Sequence, residues 1–280
     1  MNAIISEAHA MLSPPDRYPT LATFDEQKHM KTRDAIVAQV AHLIRGTRKL
    51  FTSPTQFKLF LGIESEGYAT IGLNLSPATE AFRYTGVDMC PGKTKGCAGA
   101  CLFQSGHNNL QMASIARIAR TILWVHARAT FLRKATLEIR RYQNWARNKG
   151  LRLAIRPNLL SDDTRLAEFI QCIASDSTTV YDYTAIRSAM DLTDGVHRTY
   201  SRKEGRDAET VEVLRAGHPV AVVFAGPLPT TWEGYPVING DKHDLRFIDA
   251  CGAVVVGLKV KGVKNATKER AIASGFAIAS

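Results

Sequence analysis

The chain has 280 residues, 45% of them apolar and 22% charged, the proportions of a folded protein with a sizeable core and not of a disordered or fibrous one. No apolar run approaches the roughly 20 residues that cross a bilayer, and Met1 to His9 lack the basic and apolar regions of a secretory signal, so a cytoplasmic protein is expected. The formal charge of +10 points to anionic partners, and most of it is local: between Leu110 and Lys149 nine Lys or Arg face one acid, Glu138.

Ser13-Pro14-Pro15-Asp16 and Tyr18-Pro19 mark residues 1–20 as an irregular arm. Ile36, Val37, Val40, Leu43 and Ile44 then recur at helical steps, which predicts a helix from about Phe24 to Leu50. Ser53-Pro54 interrupts it, and the apolar run from Phe57 to Ile63 reads as a strand. Tyr68 to Leu75 reads as another, and a stretch dense in cysteine follows. In the basic segment, Ile115, Ile118, Ile122 and Val125 share one helical face, with Arg117, Arg120 and Arg128 opposite. Past Thr130 the phase shifts to Phe131, Ile139 and Tyr142. One straight helix cannot bury both faces against one core, so a break is expected near Ala127–Thr130.

From Leu151 onward strands and helices alternate. Strands are expected at Leu151–Arg156, Thr178–Tyr183, Val196–Tyr200, Val220–Phe224 and Ala253–Val260, with helical pieces to about Ala174, to Met190 and over Asp207–Arg215. A longer excursion carries Trp232, Tyr235, the turn Asn239-Gly240, and Asp241, His243, Asp244 and Asp249, read either as a hard-metal site or as solvated turn residues. With Tyr68–Leu75 as the first, this makes six strands in a mainly parallel sheet. The expected fold is α/β: an open partial (β/α)6 barrel over residues 57–280, preceded by an N-terminal arm and helix over 1–56. In such folds functional groups gather at the carboxyl ends of the strands.

Three of the five cysteines lie in Cys90-Pro-Gly-Lys-Thr-Lys-Gly-Cys97-Ala-Gly-Ala-Cys101. Nothing between them builds a core. Thiolates this close, in a stretch that bends at Gly92 and Gly96, suit a soft metal or an iron–sulfur cluster. Structural zinc needs four ligands, and the nearest further candidate is His107. Three thiolates on a cluster leave one iron open. Cys90, Cys97 and Cys101 are therefore the expected ligands, of a [4Fe–4S] cluster or alternatively of zinc. Cys172 reads as a core residue, and Cys251 is open to either reading.

The strand ends supply a second constellation: Arg156, Asn158, Ser161, Asp162, Asp182, Tyr183, Tyr200, Ser201 and Arg202, expected to bind a cofactor or substrate. Arg117, Arg120 and Arg128 are the expected contacts to phosphates of a nucleotide, DNA or RNA, because forked guanidinium donors suit phosphate oxygens. Their plain alternative is the solvated face of a long helix.

Several segments together resemble a phage family known as gene product 88. They are Leu73-Asn-Leu-Ser-Pro-Ala, Cys90-Pro, Gly96-Cys97, Cys101-Leu, Arg156-x-Asn158 with Ser161-Asp162, Tyr181-Asp-Tyr-Thr, Tyr200-Ser-Arg, Trp232-x-Gly-x-Pro-Val-Ile-x-Gly-Asp241, Asp244-x-Arg-Phe and Val256-Gly-Leu-Lys. This covers roughly residues 70–262 and implies a phage or prophage protein working in a bacterial cytoplasm. In architecture, three cysteines after the first strand of a partial six-unit barrel are similar to radical SAM proteins. That likeness implies a cluster whose open iron binds S-adenosylmethionine. The spacing here is C-x6-C-x3-C where that superfamily uses C-x3-C-x2-C, and Asn158-Leu-Leu-Ser-Asp-Asp stands where it often has Gly-Gly-Glu.

Overall fold

The computed structural model describes residues 49–54, 66–102, 108, 110–249, 252–260 and 265–279. The expected helix of about 24–50 as far as residue 48, the strand expected at 57–63, His107 and Cys251 lie outside the described residues; Lys49 and Leu50, at the end of that helix, are not helical. The described residues form nine strands and seven α-helices, a mixed α/β fold around one sheet. The strands are β1 (Tyr68–Gly72), β2 (Arg152–Arg156), β3 (Thr178–Thr184), β4 (His197–Ser201), β5 (Val220–Phe224), β6 (Thr231–Trp232), β7 (Tyr235–Asn239), β8 (Val255–Lys259) and β9 (Ala277–Ile278). The helices are α1 (Ala78–Thr85), α2 (Lys95–Gly99), α3 (Gln111–His126), α4 (Arg128–Asn148), α5 (Thr164–Ile173), α6 (Asp207–Arg215) and α7 (Asn265–Ala273).

The order across the sheet is β1-β2-β3-β4-β5-β8-β7-β6, with β9 also paired to β5. All pairs are parallel except the β6–β7 hairpin. Among the described residues the sheet does not close. The six strands expected from the sequence are β1, β2, β3, β4, β5 and β8, side by side in that order. β7 extends the sheet beyond them, from within the excursion. The expected break between the basic helices falls at Ala127, whose φ of −129° and ψ of 49° leave the helical region.

The pleat sends alternate side chains to opposite faces. On β1 to β3, Ala69, Ile71, Leu153, Ile155 and Val180 join the buried cluster formed with Leu123, Trp124, Phe131 and Ile139 of α3–α4 and with Leu166 and Ile170 of α5. Tyr68, Ala154 and Tyr181 take the other face, under Leu245, Phe247 and Ile248. On β4, β5 and β8 a second cluster forms from Tyr200, Val220, Val222, Phe224 and Val255 with Val213 and Leu214 of α6. The face away from the helices is thus the one on which strand-end side chains meet.

The end of the expected N-terminal extension is built into this core. Leu50 and Phe51 are each 1% exposed, Phe51 bridges antiparallel to Leu73, and the Glu138 carboxylate accepts from the amides of Leu50 at 2.7 Å and Phe51 at 3.2 Å. No described helix is long and apolar enough to cross a membrane.

A cavity at the strand ends, walled by the cysteines

At the carboxyl ends of the strands lies a cavity of about 230 Å³. Cys90, Cys97 and Cys101 form one wall. Arg156, Asn158, Ser161, Asp162, Tyr183 and Ser201 line the rest, together with Lys93, Lys203, Asp241, Lys259, Phe276 and the apolar Leu159, Leu160, Val223 and Leu258. All three expected thiols and six of the nine expected strand-end residues therefore meet in one place.

The cysteine segment is clasped to three strand exits. The Cys90 amide donates to the Asp88 carboxylate at 2.8 Å, and its thiol donates to the Leu160 carbonyl beyond β2 at 3.6 Å. The Asp162 amide donates to the Met89 carbonyl at 2.7 Å. A Cβ on Gly92 would meet the Ala185 carbonyl, beyond β3, at 2.9 Å. Beyond β4, the Glu204 carboxylate accepts from the Thr94 hydroxyl at 2.7 Å and the Gly96 amide at 2.5 Å. A Cβ on Gly96 would stand 2.8 Å from that carboxylate. Gly92 lies in the turn closed by the Lys93 amide on the Cys90 carbonyl at 3.0 Å, as expected, while Gly96 lies in α2; at both, close approach requires glycine although neither has positive φ.

Within the cavity wall, burial pushes the Cys90 thiol well up from its ordinary value, and the charges of Asp162 and Cys101 push the same way. Among the described residues, no three His, Cys, Asp or Glu side chains stand close enough to hold a single metal ion. Arg156 donates through one nitrogen to both Asp244 oxygens, at 3.0 and 2.9 Å, and lies over the Tyr183 ring at 4.4 Å. Burial works to lower its affinity for the proton; Asp244 above all, with Tyr183 and Tyr181, outweighs this, and the net shift is upward. Tyr181 adds its hydroxyl to Asp244 at 3.1 Å. Asp244 is thus the counter-ion of Arg156, while Asp249 faces Arg246 at 3.2 Å and Asp241 accepts the Lys259 amide.

Asn158 is the hub of the β2 exit. Its amide nitrogen donates to Asp182 at 2.6 Å and to the Asp163 carbonyl at 3.1 Å, and its oxygen accepts from Ser161 at 2.7 Å and the Asp163 amide at 3.1 Å. Asp182 does not line the cavity. It is 3% exposed, behind Asn158, and burial pushes its carboxyl up to about 7. Tyr200 and Arg202 also miss the cavity, because the pleat turns them to the helix side. Tyr200 is wholly buried with its hydroxyl on Glu209. Arg202 pairs with Asp207 at 2.7 Å and donates to the carbonyls of Gly275 at 2.7 Å and Phe276 at 3.1 Å. It seals the place where β4 leaves β5 and β9 takes over that edge. Alternation from Ser201 would have found Lys203 instead. Phe276 carried no signal, since a two-residue strand has no periodicity to read.

Of the three arginines expected to meet phosphates, Arg117 is engaged inside the fold, and Arg120 and Arg128 are half-buried against backbone carbonyls. Arg117 is 1% exposed and forks onto Glu80 of α1 at 3.1 and 3.0 Å, with a third bond to the Asn108 carbonyl at 2.7 Å. Arg120 donates to the carbonyls of Lys49 and Asn74 at 3.3 and 3.5 Å. Arg128 lies over the Trp124 ring at 3.8 Å and donates to the Trp124 carbonyl at 2.7 Å. The helical wheel put Arg117 and Arg120 on one side of α3; Arg128 lies past the break, at the start of α4. The wheel could not show that α1 and the Lys49–Phe51 segment cover that side of α3.

No curated protein and no solved structure matches the chain. A family model does, extending past both ends of the segments that carried the resemblance: residues 42–279 match gene product 88, and the chain belongs to that family.

Proposed function

We propose that this protein is an iron–sulfur enzyme of phage or prophage origin, with a partial-barrel, radical-SAM-like architecture, acting on a nucleotide or nucleic acid. The observation that carries it is that Cys90, Cys97 and Cys101 wall the same cavity as the strand-end polar residues. A purely structural metal has no need of a substrate-sized space beside it. The donor set fits a [4Fe–4S] cluster in type and number. A cluster gives each thiolate its own iron, so its ligands stand farther apart than those of one ion. Bound there, it would supply redox chemistry and an iron open to a small molecule, which the radical SAM likeness names as S-adenosylmethionine. Around it, Asp88 and Glu204 fix the cysteine segment, Arg156 and Tyr183 form a rigid polar wall, and the apolar residues restrict water.

The test is anaerobic purification followed by visible and electron paramagnetic resonance spectra and by assays for iron, sulfide and zinc. Four irons and four sulfides per chain are expected, with occupancy falling at least about fivefold in Cys97→Ala. Stoichiometric zinc without iron or sulfide would overturn the reading.

A further inference from the structure

Lys203 is 7% exposed and, two residues beyond Ser201, faces the cavity. Its ammonium donates to the Ser201 hydroxyl at 2.7 Å and lies 5.6 Å from the centre of the Phe276 ring. Among the described residues it forms no ion pair, whereas Lys93 and Arg156 on the same cavity are matched by Asp88 and Asp244. Burying an ammonium is costly unless a counter-charge meets it, and this one has three donors with a single hydroxyl to receive them.

On the same cavity, within electrostatic reach of Lys203 but not paired with it, the complementary deficit appears. Asp162 accepts the Ala185 amide at 2.9 Å through Oδ2, while Oδ1 is buried and has no hydrogen-bond partner among the described residues. One wall holds a cation with spare donors, and another holds a carboxylate oxygen without one. Leu159, Leu160, Val223 and Leu258 form the apolar surface between the polar groups. A ligand satisfies both groups at once when it carries an anionic oxyacid group and, at a distance, a hydroxyl or amino donor.

The geometry points to an anion subsite formed by Lys203 and Ser201, which seats the phosphate or carboxylate of the ligand, with Asp162 Oδ1 accepting from a hydroxyl or amino group of the same molecule. The subsite rests on the reading of this cavity as a substrate pocket, and does not require the cluster. Phosphate and carboxylate share the chemistry that Lys203 recognises, and the ligand series separates them.

The experiment is isothermal titration calorimetry of the full chain with inorganic phosphate, adenosine 5′-monophosphate and succinate, repeated on Lys203→Met and Lys203→Arg. At least one anion should bind. Its affinity should fall about tenfold or more in Lys203→Met and be largely kept in Lys203→Arg, as loss of one charge-assisted contact predicts. The melting temperature of ligand-free Lys203→Met should stay close to that of the parent, because no direct ion pair is lost and the Asp162 charge reaches Lys203 only at longer range. Absence of anion binding, equal binding in Lys203→Met, or a melting temperature lowered as by loss of an ion pair would each overturn the subsite. Iron and sulfide measured on the same samples separate the two readings. Lys203-dependent binding without a cluster overturns the cluster alone, and a full cluster without such binding overturns the subsite alone.

Discussion

Asp244→Asn tests whether the polar wall of the cavity is held by charge. Asp244 is 2% exposed and the Arg156 side chain 13%. The substitution keeps the volume and one acceptor but leaves a desolvated guanidinium without its counter-ion, and the Tyr181 hydroxyl with a weaker acceptor. Two unit charges about 4 Å apart at an effective dielectric of about 20 attract by roughly 4 kcal/mol, and breaking a buried pair from one side typically costs about 3–5 kcal/mol. Urea unfolding followed by circular dichroism should therefore show Asp244→Asn destabilised by about 3–4 kcal/mol. The double variant Arg156→Met with Asp244→Asn should cost clearly less than the sum of the single changes, because the second substitution removes the charge that the first had stranded. A loss below about 1 kcal/mol in the single variant, or strict additivity in the double, would refute the claim that this pair is desolvated and mutually dependent.

Two further outcomes follow from buried carboxylates. With its carboxyl raised to about 7, folded Asp182 holds a proton that the unfolded chain releases near 4; its contribution is full at low pH and is lost as pH rises through 7. The stability difference between parent and Asp182→Asn should thus fall by about 3 kcal/mol from pH 5 to pH 8 in urea titrations, and a flat difference would contradict the shift. Glu138→Ala leaves the Leu50 and Phe51 amides buried without an acceptor and should cost about 2–4 kcal/mol, with faster proteolysis near residue 50; parent-like stability would remove Glu138 as the anchor of that segment.

Much of the sheet was legible because its strands are short runs rich in aliphatic, β-branched or aromatic residues, separated by turn and helix signals. β1 to β5 and β8 announce themselves this way, and their parallel order follows from the helices and loops between them. β7 was not legible. Pro236 interrupts Tyr235-Pro-Val-Ile-Asn, a residue that speaks against a strand interior, and the pairing that makes it a strand is with β8, many residues on. The two-residue β9 depends wholly on β5. Among site residues, the period of two already separates Tyr183, Ser201 and Lys203 from Asp182, Tyr200 and Arg202. Strand-end position alone could not, since both faces of a strand end at the same place. Arg117 failed for a different reason: periodicity assigns a residue to a side of a helix, and only tertiary packing decides whether Glu80 or water stands there.

The spacing of the cysteines acquires a physical reason in the same way. The six residues between Cys90 and Cys97 carry the chain from the β2 exit, where the Cys90 thiol meets Leu160, past β3 at Ala185 to the β4 exit at Glu204. Neighbouring parallel strands lie roughly 5 Å apart, so crossing two of them takes about 10 Å of chain, which a shorter link with a helical turn at its end would barely reach. Pro91 to Gly96 provide that length, and Gly92 and Gly96 provide flat places where the segment lies against a carbonyl and a carboxylate. The placement of the thiols is therefore set by the sheet to which the segment is clasped, not by the separation of cysteines along the chain. It follows that Glu204→Ala, which touches no cysteine, should disturb the Cys97 end of the wall more than the Cys90 end.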